Sequence, residues 1–233
     1  MQNTSDLWKK LIREYNTQRE FAFEINGEWY GSEAEISHHV TGELFETFGV
    51  GNVCTAKLEA VFELDEIQAN AEIRRYVRLV SEDSGECSEW LPQGVFYVKR
   101  RAEADGIWTI EAYDALRRTG GKYVREGEQE EWPQAADVVI EKIARRIGLV
   151  DDDENVLLDI RNEINPKYMV AHPGDRIVAE VLSAIAAAHF GNFIISDAGK
   201  LRLVPLLGLP AETNYLVDEH GDPITFGGVR ILA

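Results

Sequence analysis

Residues 71–80 read AEIRRYVRLV, residues 89–100 read EWLPQGVFYVKR and residues 106–117 read GIWTIEAYDALR. These three runs, separated by polar, Gly-bearing breaks, predict strands at Ile73–Val80, Gly94–Arg101 and Ile107–Tyr113. Pro92–Gly94 is expected to end a hairpin, and acidic loops are expected at Ser81–Glu89 and Ala102–Gly106. Asp114 follows the last strand and precedes Ala115–Arg118. There it is better placed to accept backbone N–H groups as a helix N-cap than to act as a catalytic acid.

Upstream, Phe21, Phe23 and Ile25 alternate, Asn26-Gly27 supplies a two-residue hairpin turn, and Trp29-Tyr30 begin the return strand. Further strands are expected at Ile36–Phe45 and Cys54–Leu64, the latter about 35 Å long at ~3.3 Å per residue. Gly49 and Gly51 mark a turn or bulge between them. At the N-terminus, Leu7, Trp8, Leu11, Ile12 and Tyr15 sit near helical spacing. They predict a short amphipathic helix over Asp6–Thr17, capped by Ser5 or Asp6.

Downstream the pattern changes. Thr119–Pro133 is polar and reads as a linker or crossing loop. Asp137–Gly148 carries Val138, Val139, Ile143, Ala144 and Ile147 at helical spacing, with Gly148 as C-cap. A second helix is expected at Asp175–Phe190, capped by Gly191, and then a hairpin, Asn192–Ser196 and Lys200–Leu206 around Asp197-Ala-Gly199. The fold class is α+β: an N-terminal antiparallel β-barrel or sandwich followed by a smaller α+β domain. The expected divisions are a helical arm at 1–18, a β domain at 19–118, an α+β domain at 119–207, and an extension at 208–233 that starts or returns a strand of a further β domain.

Composition narrows the function. Against 24 basic residues stand 41 acidic ones, a net charge of −17. A chain built to grip nucleic-acid phosphates needs the opposite balance, so sequence-specific nucleic-acid binding is disfavoured. No run of about 18 apolar residues occurs and no secretory leader opens the chain, which predicts no stable membrane insertion. Cys54 and Cys87 are too few and too isolated for a zinc site and are expected as free thiols. His38 and His39 are adjacent on a strand and face opposite ways, while His172, His189 and His220 share no ligand spacing. The acidic run Asp151–Glu154 lacks the calcium-loop pattern and reads as a solvated loop. With no nucleophile elbow, phosphate loop or dinucleotide fingerprint, no catalytic residue, cofactor or metal is assigned. Trp29, Tyr30, Trp90 and Trp108 are candidates for a carbohydrate platform, although strand neighbours favour core or rim packing for each.

The order of these segments, with Gly-Val-Phe-Tyr-Val at 94–98 and Ala-Tyr-Asp-Ala-Leu at 112–116, resembles the N-terminal part of bacteriophage and prophage tail-hub (baseplate-hub) proteins. The resemblance covers most of the chain, which looks like the front of a longer hub, a truncated form or a short member. It implies a non-enzymatic structural part of the virion tail tip, assembled in the host bacterial cytoplasm and oligomerising around the tail axis, typically as a homotrimer. Its implied partners are the tail tube or distal-tail protein, the tape measure and a spike or fibre protein. Candidate interface residues are Trp8, Leu11, Phe96 and Tyr97, because aromatic and leucine anchors dominate interfaces. The rival classes are a carbohydrate-binding β module for host adsorption and a fragment of a tail-associated cell-wall hydrolase.

Overall fold

A computed structural model describes residues 4–42, 49–127, 130–160, 164–165 and 167–206, with the backbone of 225–226 and 229–230. A first helix, α1 (Asp6–Leu11), is capped by Ser5, whose hydroxyl accepts the Trp8 N–H at 3.0 Å. It stops six residues before its expected end at Thr17, because the Thr17 hydroxyl donates to the Leu11 carbonyl at 2.8 Å and the chain turns into a strand at Thr17.

Seven antiparallel strands form one sheet: β1 (Thr17–Ile25), β2 (Glu28–Tyr30), β3 (Glu35–Thr41), β4 (Lys57–Glu63), β5 (Glu72–Ser81), β6 (Leu91–Ala104) and β7 (Ile107–Tyr113). Their order is β2-β1-β5-β6-β7-β4-β3. Asn26-Gly27 makes the turn from β1 to β2 with both residues at positive φ, 51° and 85°, as a type I′ turn requires. The sheet rolls on itself. Phe23 of β1 meets Phe62 of β4 edge to face at 5.0 Å although three strands separate them in the sheet order, and Phe21 reaches His38 of β3 at 4.6 Å. The inward residues Phe23, Ile25, Leu58, Phe62, Ile67, Ile73, Phe96, Val98 and Ile110 fill this first core. Edge strands β2 and β3 do not pair with each other, so the roll is open and sandwich-like rather than a closed barrel.

Two expectations for β6 are corrected. Pro92–Gly94 does not end a hairpin but lies within the strand, at a bulge where Gln93 and Gly94 face Arg75 alone. Gly94 holds φ 116°, and a Cβ there would stand 2.7 Å from the Phe96 ring, so a side chain is excluded by both backbone and space. Beside the bulge, the missing N–H of Pro92 does little harm to the ladder. The loop expected at Ala102–Gly106 shrinks to the turn residues Asp105-Gly106, with φ 55° and 79°.

The strand expected over Cys54–Leu64 is also split. Only Lys57–Glu63 pairs within the large sheet. Residues just before it serve another sheet: Val53 bridges to Phe193, and the Cys54 N–H donates to the Phe193 carbonyl at 3.0 Å. Residues 43–45 of the strand expected at Ile36–Phe45 lie outside the described residues.

The second unit contains β8 (Gln134–Ala135), α2 (Ala136–Arg146), β9 (Leu158–Asp159), β10 (Met169–Val170), α3 (Val178–Ala188), β11 (Gly191–Ile195) and β12 (Leu201–Pro205). It has its own core, in which Val139, Ile140, Ile143, Leu182, Ile185, Phe193 and Leu203 meet Ala115 and Leu116 from the short 3-10 turn Ala115–Gly120. Strands β11 and β12 form the expected hairpin, with β9 added parallel to β12. Gly148 closes α2 at φ 82°, and the Leu149 N–H donates back to the Ala144 carbonyl at 2.9 Å. Helix α3 starts later than Asp175 because residues 176–178 pair with 121–123; Val178 donates to the Gly121 carbonyl and Tyr123 to that of Arg176, both at 2.9 Å. Its end is also corrected: Phe190 takes the left-handed position (φ 52°), and Gly191 is already in β11. Tyr123 is buried, so the segment read as a linker is partly core. Of the C-terminal extension, only a short antiparallel pair, β13 (Thr225–Phe226) with β14 (Val229–Arg230), is described.

Candidate assembly surfaces and the junction between the units

The four anchors named from the sequence fall in two places. Leu11 is fully buried where α1 covers the β-roll, and Phe96 is buried in the first core. Trp8 is half-buried on α1, and just past the helix end Ile12 and Tyr15 are 56% and 101% exposed. Tyr97 is half-buried between the units. The Arg118 guanidinium lies 3.7 Å from its ring centre and also donates to the Ile147 carbonyl at 2.8 Å, tying the roll to the end of α2. Burial raises the Tyr97 phenol above its ordinary range.

The junction is built from backbone. Gly94 at the β6 bulge donates to the Asp197 carbonyl in the β11–β12 turn at 2.9 Å, and Gly199 of that turn abuts Val95. Asn192, fully buried, accepts the Asn52 N–H at 2.8 Å and donates to the Gly49 carbonyl at 3.1 Å. Asp114 is the polar centre of the same region. Its Oδ1 accepts the Leu116 N–H at 3.0 Å and its Oδ2 the Ala56 N–H at 2.8 Å, while its own N–H donates to the Ala56 carbonyl at 3.0 Å. The N-cap role read from sequence is therefore present, with a second bond that pins the entry to β4. Burial pushes the Asp114 carboxyl up to about 7, against the lowering effect of these two N–H donors. Both oxygens accept backbone N–H groups, which is the structural role of the acid here.

A second feature lies on the outer face of the roll. Trp29 of β2, 49% exposed, packs on Tyr76 of β5 at 4.9 Å and edge-on to Trp90 at 5.5 Å. The Arg78 guanidinium covers the Trp90 ring at 4.6 Å. Around them Glu24 accepts from the Tyr76 hydroxyl at 2.9 Å, Glu20 pairs with Arg78 at 2.5 Å and Glu72 with Arg74 at 2.7 Å. Of the four aromatics considered as a platform, Trp29 and Trp90 join this cluster. Tyr30 and Trp108 turn toward the first core, the Trp108 indole donating to the Leu64 carbonyl at 3.0 Å. Tyr76 and Arg78 were not singled out in the sequence; the alternation of 74, 76 and 78 with buried Ile73, Val77 and Leu79 is the signal that places them outward.

Of the other polar candidates, His38, His189 and Asp151 make local contacts, and His220 lies outside the described residues. His38 contacts Glu35 at 2.9 Å beneath Phe21 and Phe23, and His189 accepts the Asn165 N–H at 3.0 Å. Asp151 folds its acidic run into a turn by accepting N–H bonds from Asp153 and Asn155 at 3.0 and 2.8 Å. Among the described residues no cluster of His, Cys, Asp or Glu is arranged to hold a metal. Neither cysteine forms a disulfide; Cys54 is buried and Cys87 exposed. No described helix is long and apolar enough to cross a membrane.

No protein-family model matches the chain, and no curated protein matches it in sequence. Solved structures do. The chain is similar to the 43 kDa tail protein of prophage MuSo2 from Shewanella oneidensis, at 12% identity and a TM-score of 0.53, over 90% of this chain and 61% of that one. It is also similar to a tail protein from Neisseria meningitidis MC58, at 10% identity and a TM-score of 0.51, over 88% of this chain and 53% of that one. The chain thus spans less than two thirds of either structure's length. Both units, the β-roll and the α+β unit packed on it, share the fold of these two tail proteins.

Proposed function

We propose that this chain is a non-enzymatic structural component of a phage or prophage tail tip, resembling the front part of a baseplate hub. It oligomerises around the tail axis as a homotrimer and joins the tail tube or distal-tail ring to a spike or fibre. The observation that carries this reading is the shared fold across both units, which extends over nine tenths of the chain in the MuSo2 tail protein (90%) rather than over one common β module. The junction supports it: hydrogen bonds at Gly94, Cys54 and Asn52 join the two units, as a load-transmitting ring segment requires.

In this reading Leu11, Phe96 and Tyr97 hold the subunit together, and Trp8 with the exposed Ile12 and Tyr15 remains available to a neighbour. The test is immunogold labelling of tails purified from a producing strain, beside a strain deleted for the gene. Label at the tail tip, and loss of complete tails in the deletion, is expected. Intact, infective tails in the deletion contradict the reading.

A further inference from the structure

Resting on the assembly reading, we propose that subunits of this chain join head to tail, the aromatic cluster of one copy seating in a groove on the opposite outer face of the next. The cluster is Trp29, Tyr76 and Trp90, on the β2-β1-β5 half of the roll. A groove of about 880 Å³ lies on the other half, across β3, β4, β7 and β6. Ser37, Val61 and Thr109 line it, with Arg100 and Glu111 on its rim.

Three observations converge. First, position: β1 and β4 face each other through the core, with Phe23 on Phe62, so the outer surfaces of the two halves point away from one another. A knob and a hole on opposite faces make a heterologous contact, which generates rings when the rotation closes. Second, composition: an exposed Trp29 set on half-buried Tyr76, Trp90 and Arg78 offers the residue types that dominate interface energies. Third, charge: Glu20, Glu24 and Glu72 outnumber Arg74 and Arg78 around the cluster. In the groove, Lys99, Arg100 and Arg101 outnumber Glu59 and Glu111, and Lys57 beside it pairs with both of these acids. Arg100 is 80% exposed and only loosely paired, 3.9 Å from Glu111. In a chain of net charge −17, a locally basic groove is suited to the acidic rim of a second copy.

Sedimentation velocity of the full chain over a concentration series tests this with three variants. Trp29→Ala removes the knob, while Thr109→Trp fills the groove and Arg100→Glu reverses its charge, both at exposed sites. Each is expected to raise the dissociation constant of assembly, Trp29→Ala by at least about 30-fold, with an unchanged circular dichroism spectrum. Mixing Trp29→Ala with Thr109→Trp restores one intact knob and one intact groove, so a one-to-one heterodimer is expected. Assembly of all three variants at wild-type strength overturns the knob-and-groove contact and leaves the tail reading intact. A knob-to-knob contact, seen as normal assembly of Thr109→Trp with loss in Trp29→Ala, overturns the head-to-tail arrangement. A monomeric wild type contradicts self-assembly itself.

Discussion

Replacing Asp114 with Asn separates the two effects that its burial creates. In the wild type the carboxyl is 3% exposed, accepts two backbone N–H groups and titrates at about 7 instead of its model-peptide value of 3.8. Because the folded value lies above the unfolded one, the group favours folding fully below pH ~4 and that contribution is lost as pH rises through 7. At ~1.4 kcal/mol per unit of pKa, the loss amounts to about 4 kcal/mol over that window. Asparagine does not titrate. It also offers only one acceptor, so either the Ala56 or the Leu116 N–H faces an amide donor, at a cost of about 1–3 kcal/mol. The expected result is a variant whose stability relative to wild type rises by about 3 kcal/mol between pH 5 and pH 8, so that it is the more stable of the two at pH 8. Urea unfolding followed by tryptophan fluorescence at pH 5, 6, 7 and 8 measures this directly. Parallel stability curves for the two proteins, offset by a constant amount, would refute the argument that the carboxyl is desolvated in the folded chain.

Three further outcomes follow from single positions. Gly94→Ala is expected to lower stability by about 2 kcal/mol or more, from the left-handed backbone and the clash with Phe96; thermal unfolding beside Gly106→Ala, where nothing stands within 4 Å, isolates the clash. Leu11→Ala is expected to cost about 2–5 kcal/mol because the side chain is fully buried, whereas Tyr15→Ser should stay within about 0.5 kcal/mol; a silent Leu11→Ala in urea unfolding contradicts its role as the pin of α1. With a thiol reagent, Cys87 should react in the native protein and Cys54 only after denaturation; two fast thiols in the native state contradict the burial of Cys54.

Period and turn chemistry made much of the fold legible. The Asn26-Gly27 hairpin, the limits of β7 at Ile107–Tyr113 and the Asp197–Gly199 hairpin needed only alternation and turn residues. What escaped was decided by partners remote in sequence. Cys54 is apolar enough to extend β4, yet Phe193, far along the chain, claims its backbone. Pro92 and Gly94 are turn residues by type, but a bulge inside β6 uses them because the β11–β12 turn docks there. Phe190 in the left-handed position is a choice that local propensity disfavours, and Gly191 is reserved for close packing, where a Cβ would stand 2.8 Å from the Val204 carbonyl oxygen. The candidate surfaces were the least legible part. Leucine and phenylalanine anchors look alike in sequence whether they face the core or a partner, and only the roll revealed that Leu11 and Phe96 face inward while Trp29 stands out.

The most direct test of the central claim is the absolute mass of the purified chain by light scattering over a concentration series, with negative-stain images of the largest species. The account predicts a trimer with a central opening. A strict monomer at every concentration contradicts it, and glycan binding by that monomer would assign the chain to host adsorption instead.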